Sequence, residues 1–129
     1  MSGPSSIRPS DGELAILRVL WSRGPSTVRD VHTELSKERD MGYTTVLKLM
    51  QIMVEKGLVA RDERARSHTY RPLQGEAETQ RHLLKDLLQK AFGGSRRALV
   101  LQALEAEPAS SEELEDIRKL LNDAKGRTR

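Results

Sequence analysis

Residues 42–58, GYTTVLKLMQIMVEKGL, predict a helix from about Thr44 to Lys56 that ends at Gly57. At 3.6 residues per turn, one side of this helix forms an apolar stripe that suits a core. The opposite side carries short polar groups, one lysine and one leucine, where a solvent-facing helix would be mostly charged. The stripe consists of Val46, Leu49, Met50, Met53 and Val54, and the opposite side of Thr44, Leu47, Lys48 and Gln51. This unusual face needs an explanation from the rest of the chain.

Two predicted helices precede this segment. The S-x-x-E pattern at residues 10–13 is a capping box that begins the first helix, and Gly24-Pro25 ends it. Either Ser26 or Thr27 can cap the second helix, which is short and has a narrow apolar stripe at i, i+3 and i+7.

Two short strands follow the third helix. Residues 58–61 and 67–71 have strand-like composition around the basic turn 64–66, and Pro72 closes the second strand. Three helices followed by a hairpin are the order of a winged helix-turn-helix domain, in which the hairpin is the wing. The sequence therefore predicts a mainly α fold that contains three helices and a two-stranded β wing, followed by three more helices.

The last three helices are rich in leucine. One follows Gly75 and ends at Gly93-Gly94, the next runs from Arg96 to about Ala106, and the S-x-x-E pattern at 110–113 begins the last. The predicted organisation is a disordered arm at 1–9, a winged helix-turn-helix DNA-binding domain at 10–74, a helical dimerisation domain at 75–125 and a frayed tail at 126–129.

A second copy of the chain is the expected partner of the leucine-rich helices, because so small a unit buries too little apolar area alone. The alternative is that these helices pack on the N-terminal domain of their own chain. Dimerisation would place two recognition helices about 34 Å apart, one turn of B-DNA. The expected interface residues are Leu84, Leu87, Leu88, Phe92, Leu99, Leu104, Leu114, Ile117 and Leu121.

The composition is that of a soluble globular protein. The 129 residues are 36% hydrophobic and 32% charged, and cysteine is absent, which excludes disulfides and thiolate metal sites. No segment approaches the ~20 apolar residues of a membrane span, and no signal-peptide core is present. We therefore expect a cytoplasmic location without membrane insertion. The formal charge of +3 lies entirely in residues 1–74, which permits nucleic-acid binding.

Catalysis finds little support in the sequence. His32, His68 and His82 are isolated, and no nucleophile-elbow, zincin or phosphate-loop motif occurs. The sequence predicts no enzyme activity, no metal site and no cofactor.

The third helix suits the major groove of double-stranded DNA, since hydroxyl, ammonium and methyl groups can contact base edges there. The expected base contacts are Thr44, Thr45, Leu47 and Lys48. The expected phosphate contacts are Ser26, Thr27, Tyr43, Arg64 and Arg66, the first two through backbone N–H groups at a helix start. Two alternatives remain. Thr44 and Thr45 could merely cap the helix, or the winged domain could bind a protein instead of DNA.

Several segments resemble the penicillinase repressor family, and the match covers nearly the whole chain after residue 9. They are D-G-E-L-A-I-L-R-V-L-W at 11–21, T-V-R-D-V-H at 27–32, the third helix, H-T-Y-R-P at 68–72 and A-L-V-L-Q-A-L-E at 98–105. The resemblance implies a homodimeric transcriptional repressor that binds a palindromic operator, often with TACA-like half-sites.

The resemblance also implies a mode of release. Family members that a membrane-bound sensor protease controls are cut in the dimerisation domain, at the bond that aligns with Gln102-Ala103. The resemblance implies Asn-Phe at this position in the cleaved members. This chain has Gln102-Ala103 instead, and the difference argues against cleavage at this bond. The family's copper-sensing branch uses a cysteine-rich tail, which this chain lacks.

Overall fold

The computed structural model describes residues 8–127. Residues 1–7 of the predicted arm and residues 128–129 of the predicted tail lie outside the described residues. The elements are α1 (Asp11–Arg23), α2 (Val28–Leu35), α3 (Tyr43–Lys56), β1 (Val59–Asp62), β2 (Thr69–Pro72), α4 (Glu76–Phe92), α5 (Arg96–Ala106) and α6 (Ser111–Gly126). The predicted mainly α fold, with a two-stranded wing after the third helix, is confirmed.

Reciprocal side-chain caps fix where α1 and α2 begin. Ser10 Oγ accepts the N–H of Glu13 at 3.3 Å, and the Glu13 carboxylate accepts the N–H of Ser10 at 2.8 Å. Thr27 and Asp30 exchange the same two hydrogen bonds, both at 3.1 Å. The cap of α2 is therefore Thr27 and not Ser26, because Asp30 at the third helical position returns the bond.

The core of the winged domain lies between α1, α2, α3 and the hairpin. Each helix contributes three buried apolar residues at helical spacing, and each strand contributes one. They are Ile16, Leu17 and Leu20 from α1, Val28, Val31 and Leu35 from α2, Val46, Met50 and Met53 from α3, and Val59 and Tyr70 from the strands. The predicted stripe of α3 is thus the core-facing side, and its other two members, Leu49 and Val54, pack against this core half-buried.

A left-handed glycine ends α3 and delays the first strand. Gly57 has φ 79° and ψ 20°, and the N–H of the following Leu58 donates to the carbonyl of Met53 at 2.9 Å. This helix-ending motif uses the N–H of Leu58, so β1 begins at Val59, one residue later than predicted.

The wing pairs with the loop between α1 and α2. In the antiparallel hairpin Val59 faces Pro72 and Arg61 faces Tyr70. Ser26 and Tyr70 also exchange backbone hydrogen bonds, at 3.1 and 2.8 Å, and Ser26 is almost fully buried. This bridge ties the base of the wing to the start of α2.

Two compact units divide the chain, Met1–Leu84 and Lys85–Arg129, so that α4 contributes to both. The expected domain boundary at 74–75 lies at the start of this helix. In the first unit, Trp21 Nε1 donates to the carbonyl of Gln74 at 3.0 Å and fixes the chain where it leaves the wing. In the second unit, none of the described residues of α5 and α6 is buried.

Described residues of the predicted arm and of the predicted tail make hydrogen bonds. The carbonyl of Arg8, inside the predicted arm, accepts a hydrogen bond from Lys56 Nζ at 3.2 Å. The helix α6 includes Gly126, inside the predicted tail, and Arg127 caps it through its N–H. Among the described residues, no helix is long and apolar enough to cross a membrane.

Candidate nucleic-acid interface

The first two turns of α3 present an open polar face. Thr44, Thr45 and Lys48 are exposed, whereas Leu47 is half-buried against the core. The helix is capped by Gly42 and has no side-chain cap hydrogen bond. The alternative that Thr44 and Thr45 serve as caps is therefore wrong, and both hydroxyls are available to an outside partner.

Tyr43 stands at the start of α3 beside α2. Its side chain is 46% exposed, and its ring contacts that of His32 edge-on, with centroids 5.7 Å apart and planes at 82°. His32 Nε2 in turn lies 3.3 Å from Ser36 Oγ. No role for His32 could be predicted from the sequence, because its contact with Tyr43 depends on how α2 and α3 pack. The contact holds the phenol ring at the edge of the polar face.

An open groove runs between the start of α2, the start of α3 and the tip of the wing. It is lined by Thr27, Val28, Arg29, Tyr43, Leu47, Arg66, Ser67, His68 and Tyr70. Four of these residues, Thr27, Tyr43, Leu47 and Arg66, were predicted from the sequence to contact DNA. The groove adds exposed Arg29 and His68, so three groups that can carry positive charge surround it.

Arg29 was missed in the sequence although a signal existed. Val28, Val31 and Leu35 form the buried stripe of α2, and helical periodicity points Arg29 away from it. His68 offered no such signal, since its position depends on the hairpin fold.

Ser26 is not a phosphate contact, which corrects the sequence-based expectation. Its side chain is 1% exposed, its Oγ donates to the carbonyl of Gly24 at 2.8 Å, and its N–H donates to Tyr70. The N–H of Thr27 is also occupied, since it donates to the Asp30 carboxylate. Any contact of Thr27 with phosphate must therefore use its side chain.

The arginines of the wing differ in their partners. Arg64 is bound to Asp62 through Nε, at 3.0 Å from Oδ1, and through Nη2, at 2.7 Å from Oδ2. Arg61 Nη2 lies 2.6 Å from Glu63 Oε2. Among residues 8–127, no carboxylate pairs with Arg66.

The ion pairs of the wing also change its titration. The Arg64 guanidinium and the N–H of Arg64 lower the pKa of Asp62 from 3.8 to about 2. The hydrogen bond that the Arg61 guanidinium donates to the Glu63 carboxylate raises the pKa of Arg61. At neutral pH the wing therefore contains two ion pairs, and the Arg66 guanidinium, which lines the groove, has no carboxylate partner among the described residues.

Many apolar side chains of α4, α5 and α6 are exposed. Of the predicted interface residues, Leu84, Leu87, Leu104, Leu114 and Leu121 are 38–60% exposed, and Leu88, Phe92, Leu99 and Ile117 are half-buried. Leu101 and Leu120, which were not predicted, are 52% and 65% exposed. Gln102 and Ala103, at the bond that aligns with the family's cleavage site, are exposed within α5.

Comparison with known proteins agrees with this architecture. A family model described as penicillinase repressor matches residues 9–123. The transcriptional regulator BlaI of Mycobacterium tuberculosis is 38% identical to the chain over 116 residues, which cover 88% of this chain and 83% of that protein. The penicillinase repressor of Bacillus licheniformis is 25% identical over 118 residues, 92% of either chain. A solved MarR family protein from Bacillus stearothermophilus matches 92% of this chain and 74% of that one, at 21% identity and a TM-score of 0.54, and supports the fold alone.

Proposed function

The chain belongs to the penicillinase repressor family, and we propose that it represses transcription by binding a two-fold symmetric DNA operator as a homodimer. The observation that carries this proposal is the exposed polar face of α3 beside the basic groove of the wing. A helix with one face in the core and the other open can enter a major groove about 12 Å wide.

Base contacts are assigned to the first two turns of α3. The hydroxyls of Thr44 and Thr45 can donate to or accept from base edges, and Lys48 can reach guanine O6 or N7. Leu47 can cover a thymine methyl group, although its half-buried side chain limits its reach. These four side chains would choose the sequence, because only contacts in the grooves distinguish base pairs.

Phosphate contacts are assigned to the rim of the groove. Arg66 offers a guanidinium with no carboxylate partner among the described residues, Tyr43 offers its hydroxyl, and Thr27 offers the O–H of a hydroxyl whose oxygen accepts the N–H of Asp30. Such contacts would set the position of α3 on the duplex without reading its sequence. Arg29 and His68 line the same groove and extend its basic rim.

The exposed leucines of α4, α5 and α6 support the homodimer. Side chains such as Leu120 at 65% and Leu121 at 60% exposure leave an apolar surface on α6 that one chain does not cover. Burial of apolar area against a second copy would stabilise the pair by roughly 25 cal/mol per Å². Two copies related by a two-fold axis would then bind two half-sites one helical turn apart.

Release from DNA is proposed to proceed without cleavage at Gln102-Ala103. The resemblance implies Asn-Phe at this bond in the family's cleaved members. A protease pocket that accepts an aromatic side chain would gain little binding energy from alanine. A membrane-bound sensor protease, if it acts on this repressor, would therefore cut elsewhere. The proposed place of action is the cytoplasm, where bacterial operator DNA lies.

Selection of bound sites from random duplex DNA tests the proposed function. We expect recovery of a two-fold symmetric site whose half-sites are centred about 10 base pairs apart. Light scattering should show a dimer, and Leu121→Glu should give a monomer with weaker operator binding, whereas Leu73→Glu, an exposed leucine next to the wing, should leave the dimer intact. Failure to recover any site at low salt would contradict the repressor function and favour a winged domain that binds protein.

A further inference from the structure

Asp62 forms an ion pair with Arg64, whose guanidinium was predicted from the sequence to contact phosphate. Three side-chain contacts of 2.7–3.2 Å join the two groups, and Asp62 Oδ1 also accepts the N–H of Arg64 at 3.0 Å. The Arg64 side chain is 91% exposed, so solvent and DNA can reach it. Exposure therefore does not decide whether Arg64 contacts DNA. The ion pair with Asp62 decides it.

A phosphate that approaches Arg64 must compete with this carboxylate. Asp62 occupies the edge of the guanidinium formed by Nε and Nη2, so a phosphate can bind that edge only by displacing the carboxylate, and a phosphate at the Nη1 edge would lie beside it. Displaced Asp62 would stay ionised at neutral pH, because its pKa of about 2 rises at most to the ordinary range of a carboxyl group. It would then stand close to the incoming phosphate, and the two negative charges would repel each other.

Counterion release gives the same answer. DNA binding gains free energy when a cation neutralises a phosphate and frees its condensed counterions. The Asp62–Arg64 pair carries no net charge, so docking it beside a phosphate neutralises nothing. Arg66, two residues along the same loop, has no carboxylate partner among the described residues and lines the groove.

We propose that Asp62 withholds Arg64 from DNA, so that the wing contacts phosphate through Arg66 and its affinity for DNA of any sequence is limited. This inference rests on the proposed DNA-binding function. It makes Asp62 a residue that sets affinity although its charge disfavours DNA. The second pair, Arg61 with Glu63, acts in the same direction on the neighbouring strand position.

The salt dependence of binding to a non-operator duplex tests the proposal. Each phosphate neutralised makes the slope of log affinity against log salt concentration more negative by about 0.9. Fluorescence anisotropy with a labelled duplex of mixed sequence, between about 50 and 200 mM NaCl, measures this slope. We expect Asp62→Asn to steepen it by about 0.9, because Arg64 becomes a free cation. The asparagine oxygen can still accept the N–H of Arg64, which preserves the turn.

A double variant separates the freed arginine from the lost carboxylate charge. Asp62→Asn with Arg64→Ala removes both charges of the pair and should return the slope to that of the wild type. Arg66→Ala should flatten the slope by about 0.9. Glu38→Gln is the matched control, since it removes an exposed carboxylate that lines a different groove with Arg18 and Lys37 and should not change the slope.

Three results would overturn the proposal. One is a slope flatter than that of the wild type for the double variant, which would mean that Arg64 contacts phosphate despite Asp62. Another is unchanged or weaker binding by Asp62→Asn, and the third is a gain that persists in the double variant. A wild-type protein that binds no duplex at low salt would instead contradict the proposed function itself. Circular dichroism of each variant shows that it is folded.

Discussion

Lys56 Nζ, in the last turn of α3, lies 2.6 Å from Glu13 Oε1, in the first turn of α1. The Glu13 side chain is only 3% exposed, so its carboxylate depends on this partner and on the N–H of Ser10. The same Nζ donates to the carbonyl of Arg8 at 3.2 Å. One ammonium group therefore joins the end of α3 to the start of α1.

Removal of this ammonium should destabilise the winged domain. Lys56→Met leaves the buried Glu13 carboxylate without its cation, and the loss of one partner of a fully buried pair costs roughly 3–5 kcal/mol. Because Lys56 is 34% exposed and Ser10 still donates, we expect about 2 kcal/mol, measured as the free energy of unfolding in urea. Lys37→Met is the control, since its pair with Glu34 is on the surface and should be worth less than about 1 kcal/mol. Equal losses would contradict the role of the pair.

The same carboxylate should make stability depend on acid. Burial alone would raise the pKa of Glu13, but the hydrogen bonds from Lys56 and Ser10 and the charge of Lys56 lower it below 4.5 overall. Glu13 therefore binds a proton more readily in the unfolded chain than in the folded protein. The stabilisation from its carboxylate is complete above pH 4.5 and is lost as the pH falls through the pKa of Glu13 in the folded protein.

Glu13→Gln isolates this contribution. We expect the variant to be less stable than the wild type at pH 7 and the difference to shrink as the pH falls below about 4.5. Asp62 and Asp30 also have lowered pKa values and titrate in the wild type and the variant alike, so they cancel in the difference. A difference in unfolding free energy that stays constant from pH 7 to pH 3 would refute the assignment.

Lys48 should discriminate operator from other DNA. Its exposed side chain lies on the polar face of α3, where a contact to a guanine edge is worth about 1–3 kcal/mol of discrimination. Lys48→Ala should therefore weaken operator binding by that amount and non-operator binding by less, as measured by competition with unlabelled duplex. Lys37→Ala, two residues after the end of α2, is the control for loss of one positive charge. Equal weakening on both duplexes would move Lys48 to the phosphate contacts.

Gly57 should resist replacement. Its φ of 79° lies in the left-handed region, where a side chain costs roughly 1–2 kcal/mol. Gly57→Ala should lower the free energy of unfolding by about 1 kcal/mol. Gly75→Ala is the control, because Gly75 does not have a positive φ and an added Cβ there meets open space. If both variants lose the same stability, strain at Gly57 is not the cause.

The polar face and the wing were predictable for different reasons. The four base-contact candidates followed from the mismatch between the two sides of one helix, and the outward positions of Thr44, Thr45 and Lys48 agree with it. Arg66 followed only from a local excess of arginines. Arg64 belonged to the same excess, and no pattern of charges alone distinguished the paired guanidinium from the unpaired one.

Sequence alone determined the features that a few neighbouring residues encode. The capping box of Ser10 and Glu13, the end of α3 at Gly57 and the bounds of α5 follow from hydrogen bonds and backbone preferences within one or two turns. The apolar periodicity of α3 likewise assigned its buried side, because a helix repeats every 3.6 residues wherever it is placed.

Only the tertiary structure decided which distant groups meet. Glu13 and Lys56 are 43 residues apart, and the exchange of hydrogen bonds between Ser26 and Tyr70 withdrew Ser26 from the phosphate contacts. The groove that gathers Arg29, Arg66 and His68 exists because α2 and the wing pack on the same core. Such contacts depend on the packing of whole elements, and local preferences extend over only a few residues, so no short segment could specify them.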